Sequence, residues 1–404
     1  MSFRHALIVL NVVAFTLLAV YILWRVVSVR RNPSVKEPEN LTPYLKDEDL
    51  EGPRLERALG WSLLFVMIVA LALPLYFLFE PGRQDRLLAV FDDRAVERGA
   101  TLYANETMEE YVSDKSLLCA NCHGADGSGG TAPFVLQPEL DICEDEENQA
   151  NPSFPQCLPV QVAWAAPALD TVLGRFDEAE VFNILTYGRP GTPMPAWGVA
   201  SGKGVLNTQS INDLIAYLGS IQITPEEAKQ RSSKAASGFR SAAADNVDDQ
   251  VKTLADDEKK LAEAKAKPLG AAAIAQLQEK VDTQTEVVAS AQAWNAQVQQ
   301  MGSGEILFRL NCARCHTKGA SYYDPNNVLL PPASPVGSGA FGPNLTNGST
   351  TIQFPGLAGE QEQFDWVALG APPNELYGVR GISSGRMPHF VNQLTETQII
   401  KALH

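Results

Sequence analysis

The sequence predicts a mainly α-helical protein in four parts: two N-terminal transmembrane helices (residues 1–82), two similar domains (83–224 and 301–404), and an antiparallel helical hairpin between them (225–300). Three observations carry that prediction. Two uncharged runs, each 19 residues long, lie near the N-terminus. One five-residue cysteine–histidine motif occurs twice, at 119–123 and 312–316. Between 225 and 300 the composition turns to Ala, Lys, Glu, Asp and Gln with almost no aromatics.

The two runs are Ala6 to Trp24 and Trp61 to Phe79. Each is the length needed to cross a hydrocarbon core of about 30 Å, and a buried core helix rarely stays apolar on every face for so long. The first run is longer than a usual signal-peptide core and ends in Trp-Arg rather than small residues, which favours a retained anchor. Between the runs lie Arg25, Arg30, Arg31, Lys36, Lys46, Arg54 and Arg57, against Arg4 alone before the first. The positive-inside rule then places residues 25–60 in the cytoplasm and everything after Phe79 on the outer face. Pro74 is tolerable in a spanning helix, and Asn11 suits a helix–helix hydrogen bond.

The chain has 404 residues and a net charge of −15. That balance argues against nucleic acid, whose phosphates demand Lys and Arg. Four of its six cysteines and two of its five histidines fall in the repeated motif, Cys119-Ala-Asn-Cys122-His123 and Cys312-Ala-Arg-Cys315-His316. C-x-x-C-H is the attachment signature of c-type haem. Two thiols three residues apart on one helical turn can reach the two vinyl groups of one porphyrin, and the adjoining histidine is then aimed at the iron. A zinc site needs two more ligands near each pair, and no further Cys or His lies at zinc spacing. A disulfide oxidoreductase would not need the trailing histidine.

A six-coordinate iron needs a second axial ligand. Met1, Met67 in the apolar run, and Met108 and Met301 just ahead of the motifs are set aside, which leaves Met194 and Met387. Each lies 71 residues after the histidine of its own motif, and each is followed by proline, which fixes the local backbone. Buried methionine is commonly only a core residue, but the repeated Met-Pro favours ligands. His/Met ligation raises the potential of the iron and fills both axial positions.

Beside these motifs the chain resembles the class I cytochrome c family, twice over. Ahead of each attachment site a Gly and an aromatic lie four residues apart, Gly99 and Tyr103, then Gly304 and Phe308. Ala-Pro-Ala-Leu (166–169) and Gly-Pro-Asn-Leu (342–345) lie between each attachment site and its methionine. An amphipathic helix follows each methionine, Ile211 to Ile221 in the first repeat and one opening at Thr395, with Gln398 as a capping box, in the second. The resemblance covers residues 90–224 and 301–404. It implies two class I cytochrome c domains, two haem c groups, and carbonyls of Pro167 and Pro343 accepting a hydrogen bond from His123 and His316. Such bonding orients the ring and tunes its basicity.

There are departures from the family pattern. Fifteen residues separate Tyr103 from Cys119, against three between Phe308 and Cys312, so the first repeat carries an insertion. The last helix stops at His404, about a turn short of its counterpart, consistent with a chain that continues. His389, beside Met387, suits a surface or propionate-side role, and His5 and His404 have no assigned role. Cys143 and Cys157 flank a polar loop, and an oxidising compartment predicts a disulfide between them. The acidic stretch Glu139, Asp141 and Glu144 to Glu147 suits a solvated loop better than a docking face.

Thr224-Pro-Glu-Glu227 reads as a helix start with a capping box. Val251, Leu254 and Leu261 form one sparse apolar stripe, and Ile274, Leu277, Val281, Val288, Ala291 and Val298 a better one. Lys267-Pro-Leu-Gly270 breaks the run, which predicts an antiparallel hairpin whose narrow seam needs the domains or a partner to hold it.

Three classes of electron carrier compete. The first is a fixed di-haem subunit of a bc-type quinol–cytochrome c reductase, with cytochrome b and Rieske iron–sulfur subunits as partners; that family carries its anchor after the haem domains. The second is the di-haem subunit of a cbb3-type oxidase, partnered by haem–copper subunits. Its anchor is N-terminal, and Gly-Arg-Pro-Gly-Thr-Pro-Met-Pro-Ala-Trp (188–197) is similar to that family, but the 225–300 hairpin has no counterpart there. The third, a catalytic di-haem peroxidase, needs an open iron position that Met194 and Met387 argue against. No triad, phosphate loop or paired-carboxylate site suggests an active site of the chain's own.

Overall fold

The computed structural model describes residues 13, 16–28, 51–136, 158–266, 270–330, 333–371 and 387–403. The described chain is mainly helical and divides by its contacts into two units, Met1–Asp85 and Arg86–His404.

In the first unit α1 is Thr16–Ser28, and α2 begins at Pro53 and runs to Tyr103. Trp61, Leu63, Phe65, Leu71, Phe77 and Leu78 are all exposed on α2. A helix in water buries one apolar stripe; one that is apolar and exposed on every side fits a lipid environment. Among the described residues α2 is the one helix long and apolar enough to cross a membrane. The run expected as the first span is seen only in part. Its described portion, α1, is too short to cross, and residues 6–12, 14 and 15 lie outside the described residues.

The second unit contains two halves built alike. In the first half, the last turns of α2 cross α5 (Thr208–Ser220), with α3 (Ala120–His123) and α4 (Glu178–Tyr187) completing the helices. Asn207 caps α5 by accepting from the Ser210 amide at 2.9 Å, and Asp177 caps α4 by accepting from Glu180 at 2.7 Å; each satisfies one amide that the helix start leaves open. Tyr103, Phe176, Val181, Leu185, Ile211, Leu214 and Leu218 form the core. The α2–α5 crossing depends on Gly99, where a Cβ would sit 2.0 Å from the Asp213 carbonyl oxygen. Arg98 then reaches the buried Asp213 through two bonds of 2.7 Å.

The second half repeats this scheme with α8 (Ser303–Asn311), α9 (Ala313–His316), α10 (Ser349–Gln353), α11 (Gly356–Leu369) and α12 (Glu396–Leu403). Leu307, Ala368, Phe390, Leu394 and Ile399 are its core. Here Gly304 makes the crossing, and its Cβ would sit 2.0 Å from the Lys401 carbonyl oxygen. Thr395 and Gln398 close a reciprocal capping box on α12, at 2.9 and 3.3 Å.

Between the halves, α6 (Pro225–Ala266) and α7 (Ala271–Gln300) pack side by side. The pairs Lys265–Gln278, Asp257–Lys280, Gln250–Gln284 and Arg240–Gln299 advance along one helix as they retreat along the other, so the two are antiparallel. Thr224 and Glu227 cap α6 reciprocally. The seam is small-residue and narrow: Leu261, Ala264, Val281, Val288, Ala291 and Val298 are buried, whereas Val251 is exposed. The halves supply what the seam lacks. Arg231 pairs with Asp170 at 2.7 Å, Trp294 meets Tyr323 edge-on with centroids 5.2 Å apart, and Ala243 and Val298 share a core with Met301 and Ile306.

The helical expectation does not extend to residues 130–136 and 160–166. There β1 (Gly130–Leu136) and β2 (Val160–Ala166) pair antiparallel, with Ala132 opposite Trp164. Val162 and Trp164 are buried and Gln161 and Ala163 exposed, a period of two that Val-Gln-Val-Ala-Trp carries in its sequence. Cys143 and Cys157, between the strands in sequence, lie outside the described residues, as does the acidic stretch.

Candidate functional site

Each cysteine–histidine motif forms one helical turn. The His123 amide donates to the Cys119 carbonyl at 3.0 Å, and the His316 amide to Cys312 at 3.1 Å. That bond stacks the first cysteine and the histidine on one face. All four motif cysteines are free and part-buried.

Both imidazoles are oriented in the same way. His123 Nδ1 lies 2.9 Å from the Pro167 carbonyl and His316 Nδ1 lies 2.9 Å from that of Pro343. A carbonyl only accepts, so Nδ1 donates in each ring and Nε2 is left with its lone pair for a metal. Burial, joined at His123 by the charges of Arg314 and Arg175, lowers the pKa of the ring below its ordinary value, while the proline carbonyl works the other way. Burial lowers His316 likewise. In both rings burial thus favours the neutral imidazole. Gly342 lets the backbone press on His316: a Cβ there would sit 2.7 Å from Cε1 and 2.8 Å from Nδ1. Burial pushes the Cys119 and Cys312 thiols up to about 12.

The methionine segments are also held alike. Helix α4 ends at Gly188 (φ +69°), and the Arg189 amide donates to the Met194 carbonyl at 3.1 Å. Helix α11 ends at Gly370 (φ +73°), and the Ala371 amide donates to the Met387 carbonyl at 3.0 Å. Three residues on, Trp197 and Phe390 bond back to the helix ends, at Leu185 and Val367. A Cβ on Gly188 would meet the Met194 carbonyl oxygen at 2.8 Å, and one on Gly370 the Met387 carbonyl oxygen at 2.9 Å. Met194 packs on the core that also takes Cys119, and Met387 on the core of the second half.

Sequence reasoning missed Gly188 and Gly370. The signal was present, since Tyr-Gly-Arg-Pro (187–190) and Leu-Gly-Ala-Pro (369–372) both read as a helix end with proline just beyond. It also missed three arginines. Arg175 Nη2 donates to the Ala168 carbonyl at 2.6 Å, but its Nε is buried without a partner. Burial, then the neighbouring charges of Arg314 and Arg189, pull Arg175 down to about 10. Arg189 and Arg314 are lowered for the same first reason.

Among the described residues no group of three or more His, Cys, Asp and Glu side chains is placed to hold a metal ion. Each motif turn offers two cysteine sulfurs and one imidazole Nε2, three protein donors with no fourth His, Cys, Asp or Glu beside them among the described residues, and each Met-Pro segment offers a thioether. This donor set fits a porphyrin-held iron, whose ring supplies four ligands, and not a protein-only tetrahedral site. Neither a family model, nor a curated protein, nor a solved structure matches this chain.

Proposed function

We propose that this protein is a membrane-anchored di-haem cytochrome c, with class I domains at 83–224 and 301–404, serving as a fixed electron-transfer subunit of a bc-type quinol–cytochrome c reductase. The observation that carries the reading is the paired geometry. Two C-x-x-C-H turns each set a histidine against a proline carbonyl at 2.9 Å, and each is followed by a Met-Pro segment pinned to a glycine-ended helix. Core packing alone gives no reason for this constellation to occur twice.

When bound, haem c supplies one-electron chemistry at its iron. Everything else falls to the chain. Cys119 and Cys122, then Cys312 and Cys315, would hold the porphyrins covalently. His123 and Met194 would ligate one iron and His316 and Met387 the other, which would leave no ligand position for a substrate. Pro167 and Pro343 fix the rings. The anchor, with residues 25–60 in the cytoplasm and the haem domains on the outer face, keeps the carrier beside membrane-bound donors.

Two measurements test this. The alkaline pyridine spectrum of the purified, denatured chain should show two covalent haems per polypeptide; a chain with none ends the cytochrome reading. A gently solubilised complex should contain b-type haem and a Rieske iron–sulfur signal. A haem–copper subunit instead, without quinol oxidation, would assign the chain to a cbb3-type oxidase.

A further inference from the structure

The segments that orient the two histidines belong to different halves, yet they meet. In the first half β1 and β2 bridge the attachment turn and the proline that faces it. The Gly129 amide donates to the His123 carbonyl at 2.9 Å, and a Cβ on Gly130 would sit 2.6 Å from the Cys122 carbonyl oxygen. Gly130 pairs with Ala166, one residue before Pro167. Backbone contacts alone therefore hold the Pro167 carbonyl on His123. The side chain of Trp164, three residues before that proline, serves the other half. It is buried, and its ring lies 5.2 Å from that of Tyr322 and 6.4 Å from that of Phe341, centroid to centroid. Phe134 backs it edge-on from β1 at 5.3 Å.

Phe341 stands two residues before Pro343. Among the described residues Trp164 is the one aromatic ring that packs on it. The first half touches it from a second direction: a Cβ on Gly191, in the Met194 segment, would lie 3.4 Å from its Cε1. From Phe341 onward the chain has no slack. The Gly342 amide donates to the Cys315 carbonyl at 2.7 Å, Gly342 abuts the His316 ring, and the Pro343 carbonyl accepts from that ring at 2.9 Å. The strand that carries Trp164 is itself fastened to the second half, because the Ala165 amide donates to the Ser321 carbonyl at 2.7 Å.

We propose that Trp164 of the first half is a positioning residue for His316 of the second, acting through Phe341 and the Gly342–Pro343 segment; that His316 is a ligand rests on the haem reading above. Removing a large buried ring leaves a cavity that its neighbours fill only in part. Phe341 would move toward that cavity, and the carbonyl two residues on would move with it. A hydrogen bond weakens steeply as its angle and distance depart from the optimum, and this one sets the plane and basicity of the imidazole. The dependence runs one way. His123 is held through the backbone of β1 and β2, so loss of the Trp164 side chain leaves its carbonyl in place.

The test is low-spin EPR of the full-length ferric protein, with the two signals assigned by the Met194→Leu and Met387→Leu variants. In Trp164→Ala the g values of the second site should shift, because they follow the orientation of the imidazole plane, while those of the first stay. Trp164→Phe, which keeps a ring, should restore the wild-type spectrum. Solvent exchange of the His316 Nδ1 proton, followed by NMR of histidine-labelled protein, should quicken about fivefold in Trp164→Ala, the equivalent of losing about one neutral hydrogen bond, with His123 unchanged. A ring that only fills space between the halves would move both sites or neither. Either result overturns the proposal, as does a shift confined to the first site. If Trp164→Ala yields no holoprotein, Phe341→Leu decides: it should shift the second signal alone, and an unmoved signal refutes the relay. A wild-type chain without covalent haem removes the haem reading, and the His316 exchange, which needs no haem, then still decides the positioning.

Discussion

His316 Nδ1 sits 2.9 Å from the Pro343 carbonyl while Gly342, one residue earlier in the chain, presses on the same imidazole ring. The segment 342–343 thus both accepts the ring's hydrogen bond and sets how closely the backbone approaches it. The other half sets His123 on Pro167 with Ala166 in the corresponding place.

Gly342→Ala should therefore weaken the second site specifically. A methyl 2.7 Å from Cε1 must displace the ring or the loop, and overpacking of this kind costs about 1–3 kcal/mol. The expected outcome is reduced haem attachment at Cys312 and Cys315 with attachment at Cys119 and Cys122 unchanged, read by peptide mass spectrometry. Equal attachment at both sites would show that the ring is not held by this contact.

The two glycine crossings should be intolerant of any side chain. In Gly99→Ala and Gly304→Ala the new methyl meets backbone oxygen at 2.0 Å, so each should destabilise by at least about 1–3 kcal/mol in denaturant titrations. Gly238→Ala is the control. Nothing lies within 4 Å of its Cβ position in α6, and replacing glycine inside a helix should stabilise by up to about 1 kcal/mol.

Acid should weaken the first half through Asp213. Burial works against its charge, but the Arg98 and Gln209 bonds and the Arg98 charge outweigh it and hold the carboxyl below its ordinary range. A depressed folded pKa contributes stability above the unfolded value of about 3.9 and loses it as pH falls through the folded one. The denaturation midpoint of the wild type should fall below about pH 4, and Asp213→Asn, less stable at neutral pH, should show a shallower acid slope. Parallel profiles would remove Asp213 from the acid response.

Met194→Leu and Met387→Leu should each abolish about half of the methionine-to-iron charge-transfer absorption of the oxidised protein. An unchanged band in either variant would reject that methionine as a ligand.

Several local features were legible before any tertiary contact. The capping residues Thr224 with Glu227 and Thr395 with Gln398 are local signals, three residues apart, and they form the bonds their spacing suggests. The β1–β2 pair was not legible against a helical background, although its alternation is visible once sought. Twenty-three residues separate the two strands in the sequence, and pairing over such a distance leaves no local trace.

What the sequence determined by itself is whatever one turn of helix can encode: each Cys-x-x-Cys-His turn, each cap, and the uncharged length of residues 61–79. The tertiary structure decided the rest. It joined Gly188 to Met194 and Gly370 to Met387 across different lengths of sequence, and it crossed α2 on α5 and α8 on α12 at single glycines. It also set Trp164 of one half on Tyr322 and Phe341 of the other. Hydrogen bonds within a turn follow from covalent spacing, whereas close backbone contact and ring packing depend on which distant segments the folded chain brings together.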